Sequence, residues 1–241
     1  MKKLIALVLT LAVAMLCVAA VAEDTAVMTY ADFVAAEVDD LVKVEAYVQS
    51  AAYNAAYGNV TLFLADEDGA YYLYRLPCDD ALAAQLTVGA KVQVEGYKAE
   101  WSGEVEIDGT KDASLTVLEG EAWVAPAKDV TAELGTDALT EKMNQLVAVN
   151  GAVVVAYNDA GDAFSYAWDG SGQAGANSDL YFTVEVNGAS YTFTVESDEV
   201  AEGTEAYTAV TSLKVGDTID LEGFLYWYNA PQLHVNKVTV K

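Results

Sequence analysis

The chain has 241 residues, 37 acidic against 12 basic side chains, and a formal net charge of −25. So acidic a surface repels phosphate backbones and anionic headgroups, and Arg75 is the only arginine, so nucleic acid is a disfavoured partner on charge. A single histidine, His234, excludes a metal site built on two histidines.

In chain order, Met1-Lys2-Lys3 is a short basic segment before an uncharged run from Leu4 to Ala22. That run ends in Ala20-Val21-Ala22, a small-x-small cleavage signature before Glu23. Residues 1–22 therefore read as a signal peptide, with a secreted, extracellular or cell-envelope destination and no stable membrane insertion after cleavage. A retained anchor is the alternative, since the run approaches the length of a span. Cys17 follows Leu16, where a lipobox needs a small residue. Cleavage leaves Cys78 as one thiol, so no intramolecular disulfide can form. With Asp79-Asp80 beside it, Cys78 reads as a small buried apolar residue.

Thr29-Tyr-Ala-Asp32 resembles a capping box and opens a short helix through Ala36. Leu41 to Gln49 alternates Val42, Val44, Ala46 and Val48 with polar positions, the period of a half-buried strand. Asn59 to Ala65 and Ala70 to Leu76 form a hairpin around Asp66-Glu-Asp-Gly69. Asp79 to Gln85 reads as a short helix, Lys91 to Tyr97 as a fourth strand, and Glu104 to Leu118, broken at Asp108-Gly109, as the last. Residues 120–135 read as a linker. Thr136 to Met143 predicts a short helix, and Leu146 to Ala156 a strand. Leu180 to Val186 and Ser190 to Val195 flank an Asn187-Gly188 turn. Glu196 to Ser212 shows low periodicity, and Gln232 to Val240 is a final strand.

Two of these stretches match. Leu86-Thr-Val-Gly-Ala-Lys-Val-Gln-Val-Glu-Gly-Tyr97 reappears as Leu213-Lys-Val-Gly-Asp-Thr-Ile-Asp-Leu-Glu-Gly-Phe224. Repetition on this scale implies a duplicated domain. The expected plan is an all-β chain of two tandem five-stranded OB-like Greek-key barrels with short helices, spanning 28–119 and 136–241. The second is longer between its first and fourth strands, which places a loop insertion near 157–179.

The run from Val42 to Gln49, Leu73-Tyr-Arg-Leu-Pro-Cys78, and Val94-Glu-Gly-Tyr-Lys-Ala-Glu-Trp-Ser-Gly-Glu-Val-Glu-Ile107 resemble secreted bacterial tandem OB-fold proteins, most of them uncharacterised. The resemblance covers about the first half of the chain after the signal and implies an exported, non-catalytic module. It carries over no functional residue.

OB-folds bind on the face of strands two and three and with the loops joining strands 1–2 and 4–5. Those places hold Tyr53, Tyr57, Phe63, Tyr72, Tyr74 and Trp101 in the first unit. In the second they hold Tyr157, Tyr166 and Trp168, then Tyr226, Trp227 and Tyr228. Flat rings suit sugar faces or bases, and equally suit a buried contact between domains. With cations scarce, the expected partner is an extracellular glycan or peptide. The alternative is a structural or protein-interaction module, with single-stranded nucleic-acid binding or a hydrolase behind both. Glu104 and Glu106 share a strand face and read as solvent-facing charges. Asp159, Asp162 and Asp169 in the insertion are weak Ca²⁺ candidates, and no cofactor is expected. No nucleophile elbow, phosphate loop or dinucleotide fingerprint is present, so the chain reads as a binder and not an enzyme.

Overall fold

The computed structural model describes residues 25–241, so the signal segment 1–22 lies outside the described residues. The chain opens with α1 (Tyr30–Ala35), β1 (Leu41–Asn54), β2 (Asn59–Ala65) and β3 (Ala70–Pro77). Then follow α2 (Asp80–Ala83), β4 (Lys91–Trp101), β5 (Glu104–Asp108) and β6 (Ser114–Val117). The strands pair in the order β1-β2-β3-β5-β4, and β1 pairs β4 to close the ring. Only the β3–β5 contact is parallel within that ring. This is the five-stranded OB barrel, with its helix between the third and fourth strands.

Local chemistry explains the elements. Thr29 and Asp32 cap α1 reciprocally, which satisfies its first free amides. Val42, Val44, Ala46 and Val48 point into the barrel, as their alternation requires. Phe33 closes one end of the core, packing edge-on against Tyr71 at 4.9 Å. Lys98 Nζ donates to the carbonyls of Phe33, Val34 and Ala36, neutralising the free C-terminal acceptors of α1.

The second barrel follows with β7 (Lys128–Asp129), a 3₁₀ turn (Asp137–Lys142), β8 (Leu146–Val155), β9 (Phe164–Tyr166) and β10 (Leu180–Val186). It ends with β11 (Ala189–Val195), α3 (Glu205–Thr211), β12 (Thr218–Trp227) and β13 (Pro231–Val240). The ring β8-β12-β13-β11-β10 closes through β8–β10, and its one parallel contact joins Thr194 to His234. The order is that of the first barrel. The low-periodicity stretch 196–212 conceals α3, which occupies the place of α2. Its buried face is only Ala206, Tyr207 and Val210, too short a stripe to give a clear helical period.

The glycines of the repeat explain its retention. Gly89 and Gly216 sit at φ 88° and 97°, a region other residues enter only with strain. At Gly96 a Cβ would lie 2.8 Å from Ile107 Cγ2, and at Gly223 2.5 Å from the His234 carbonyl. Each closes its barrel by letting β4 or β12 approach the next strand. The segment 120–135 is tied to both barrels. Ala125 N–H donates to Gln49 Oε1 at 2.8 Å, Val130 and Leu134 are buried in the second core, and β7 pairs with β8.

The barrels meet through a separate apolar cluster. Phe63 and Phe224 stack with centroids 4.4 Å apart and planes 9° from parallel, and Tyr72 packs on both sides of the junction, against Phe63 and Tyr226. Phe63, Tyr72 and Phe224 are all buried. Phe224 is the last residue of the second repeat, so one scaffold position has become the docking residue. Phe224→Ala is expected to destabilise the protein by about 3 kcal/mol, read as a lower urea midpoint. An unchanged midpoint would mean that the stack does not hold the barrels together.

Candidate functional site

A cleft of 730 Å³ opens where the two barrels diverge from this contact. That is within the size range of small-molecule sites. Tyr57, Tyr72, Tyr74 and Trp101 line it from the first barrel, and Tyr157, Trp168, Tyr181, Tyr226 and Tyr228 from the second. Trp101 and Tyr228 meet across the junction with centroids 5.2 Å apart. The loops carrying them are also joined by Asn229 N–H donating to the Ser102 carbonyl at 2.7 Å. Gly103 has no side chain because Trp227 lies against it: a Cβ there would be 2.7 Å from Trp227 Cδ1.

The first-barrel wall includes a local departure from regular strand. The β2–β3 register shifts between Val60 and Leu62, and Arg75 takes φ 49°. This bulge turns Arg75 outward over the Tyr74 ring, 5.0 Å from its centroid. The first unit's lysines are engaged elsewhere. Lys43 pairs with Glu95, Lys91 with Glu45 and Lys111 with Asp39, while Lys98 caps α1. The second-barrel wall is acidic, presenting Glu196, Asp198 and Glu199 beside His234.

Beneath the cleft lies a buried polar network. His234 Nδ1 is 2.8 Å from Glu199 Oε1, and its Nε2 is 4.0 Å from Glu196 Oε1. Its ring also packs on Tyr226 at 4.5 Å. Burial alone lowers an imidazole pKa, but Glu199 and then Glu196 and Glu104 outweigh it and raise that of His234. Glu196 is pushed up to about 7 by burial, against the pull of His234.

Glu104 and Glu106 do not face solvent, contrary to the expectation from strand patterning. Both are buried, because the second barrel covers the β5 face that an isolated barrel would expose. Glu104 Oε2 accepts from Trp227 N–H at 2.8 Å, and Oε1 is buried without a hydrogen-bond partner. Burial drives Glu104 up to about 8 although the Asn144 side chain and the Trp227 amide favour its ionised form, and burial and Asp108 drive Glu106 up to about 7. Neither carboxyl lines the cleft.

Of the aromatic candidates, eight converge on the cleft: Tyr57, Tyr72, Tyr74, Trp101, Tyr157, Trp168, Tyr226 and Tyr228. Four do not line it; Tyr166 packs edge-on against Phe164 beside the second core. Tyr53 donates its hydroxyl to Asp80 Oδ1 at 2.6 Å, Phe63 is consumed in the stack, and Trp227 packs against Gly103. Tyr181, Arg75, Glu196, Asp198, Glu199 and His234 were not foreseen as a group. No sequence motif joins them, since they come from β3, β10, β13 and the stretch after β11. The calcium candidates are not assembled. Asp162 Oδ2 accepts from Asn158 Nδ2 and Asp169 Oδ1 from Ser171 N–H, and among the described residues no group of three or more His, Cys, Asp or Glu could hold a metal ion. Cys78 is buried, and burial, with Asp79, raises its thiol pKa.

No family model matches the chain, and no curated protein does. Among solved structures, it is similar to the Ifi202 HINa domain in complex with 20-bp dsDNA, at 13% identity, covering 84% of this chain and 98% of that one, with a TM-score of 0.35. A murine DNA-binding protein bound with double-stranded DNA matches at 11% identity over 82% of this chain and 97% of that one, TM-score 0.37. A deletion mutant of the single-stranded DNA binding protein from Thermus aquaticus matches at 14% identity over 83% and 93%, TM-score 0.26. The first two of these proteins are bound to double-stranded DNA, and the third is a single-stranded DNA binding protein. The expectation of a glycan or peptide partner, with nucleic acid disfavoured, is therefore withdrawn. The geometry also removes part of its basis, because Phe63 is buried in the barrel–barrel stack and not displayed on a binding face. At these scores the choice of ligand falls to the cleft.

The network gives a pH dependence. Glu104, Glu106, Glu196 and His234 are all raised in the folded state, so the folded protein holds more protons than the unfolded chain. For the carboxyls, the stabilisation is complete below their ordinary value of 4.5 and is lost as pH rises through about 7 to 8. His234 acts in the same direction, above 6.5. Stability is expected to fall between about pH 5 and pH 9, and Glu104→Gln to flatten that slope. Urea midpoints across the range check this, and a slope that Glu104→Gln leaves unchanged would refute the assignment.

Proposed function

We propose that this protein is a binding module that takes a planar heterocyclic ring into the aromatic cleft between its barrels. The carrying observation is the convergence of tyrosine and tryptophan rings from both repeats on one cavity of 730 Å³. Such rings stack on any flat π-system, while the carboxylates and tyrosine hydroxyls beside them accept hydrogen bonds from a donor-bearing ring edge. Free nucleosides, exposed bases of single-stranded nucleic acid and non-nucleotide heterocycles share this chemistry. Binding energy in this reading comes from stacking between two domains, so both barrels are required.

The reading extends to an exported protein of the tandem OB-fold kind. Its support is the basic start, the apolar run and the Ala20-Val21-Ala22 site in the sequence. Amino-terminal sequencing of protein recovered from the medium or envelope is expected to begin at Glu23, and an intact Met1 would refute cleavage.

Quenching of tryptophan emission distinguishes the ligand sources, using adenosine, a short single-stranded oligonucleotide and quinoline as probes. At least one is expected to bind saturably, and Tyr226→Ala to weaken it by about 10-fold, the loss of one stacked ring. Binding only by the oligonucleotide, with a steep salt dependence, would assign single-stranded nucleic acid. Failure of all three would reject the cleft as a ring site.

A further inference from the structure

The charge pattern of the cleft narrows its occupant, taking as given that the cleft binds a planar ring. Its second-barrel wall carries Glu196, Asp198 and Glu199, and one imidazole lies among them. His234 Nδ1 is held at 2.8 Å by Glu199, while Nε2 stays 4.0 Å from Glu196. Glu196 Oε1 also accepts a 3.3 Å hydrogen bond from Thr194 Oγ1. One imidazole therefore faces two carboxyl groups, and Asp198 adds a third acidic side chain at the exposed rim. Arg75 lies on the opposite wall over Tyr74. The ring faces between these walls are themselves electron-rich and attract positive charge.

We propose that the ring held in this cleft is an organic cation, a planar quaternary or protonated heterocycle, whose charge is received by Glu196 and Asp198 and by the tyrosine faces beside them. The cation adds to the counter-charge that Glu196 shares with Glu199 through His234. Attraction between unlike charges in a partly desolvated cleft is stronger than in water. The surrounding rings then hold the heterocycle by both stacking and cation–π contact. A neutral ring of the same shape keeps the stacking alone.

The test is a matched pair, N-methylquinolinium and quinoline at pH 9, where quinoline is neutral, titrated against the full chain by tryptophan quenching and calorimetry. The cation is expected to bind at least about 10-fold more tightly, the scale of a desolvated cation–π contact. Asp198→Asn and Glu196→Gln are each expected to reduce that ratio, and the double variant to bring it close to one. Asp198 is exposed, so its variant keeps the test open if Glu196→Gln impairs folding. Equal affinity of the two rings would overturn the proposal while leaving the ring-binding reading intact. A preference for the cation that survives in Asp198→Asn and the double variant would also overturn it, by assigning the charge recognition elsewhere. Failure of both rings to bind would overturn the proposal, while the ring-binding reading then stands or falls on adenosine and the oligonucleotide.

Discussion

Two barrels held face to face by one aromatic stack, with a carboxyl group buried beside it, is the constraint from which the site follows. Phe63 and Phe224 set the contact, and Glu104 reaches across it to the Trp227 amide. A buried carboxylate with an unpartnered oxygen is costly when ionised, so the junction favours a protonated Glu104. The barrel surfaces separate beyond the stack, and the wedge between them is the cleft. Its walls belong to different domains, so its shape depends on the docking angle and not on either barrel alone.

Duplication supplied the scaffold, and divergence after the repeated strand supplied the site. In both copies the strand runs into an aromatic loop, at Trp101 and at Tyr226 to Tyr228. Two loops that read as equivalent sites on separate domains instead converge. Trp101 touches Tyr228, Trp227 fills the space over Gly103, and Asn229 bonds to Ser102. The repeat pairs two different halves into one asymmetric pocket.

Charge organises the same molecule in two ways. In a chain of 37 acidic against 12 basic side chains, the lysines of the first barrel are used internally, Lys98 on α1, Lys43 and Lys91 on nearby glutamates and Lys111 on Asp39. That leaves the second-barrel side of the cleft negative. Arg75 is the exception, aimed over Tyr74 by a strand bulge that places its backbone at positive φ.

Sequence alone determined the elements whose causes are local. Thr29 to Asp32 could only cap a helix well, the alternation of Val42, Val44 and Val48 demanded a strand with one buried face, and the repeat implied two like domains. It also found the aromatic residues, since most of the cleft rings lie where an OB-fold carries its ligand loops. It could not find α3, whose buried stripe is too short to show a period. Nor could it say which rings are displayed and which are consumed, or that Glu104 and Glu106 are buried. Periodicity tells which face of a strand turns from its own barrel, and not what covers that face. Only tertiary structure decided that a second barrel does, because docking acts between surfaces far apart in the chain. The same step joined His234, Glu196 and Glu199 to the rings and turned a scattered set of aromatics into a single charged cleft.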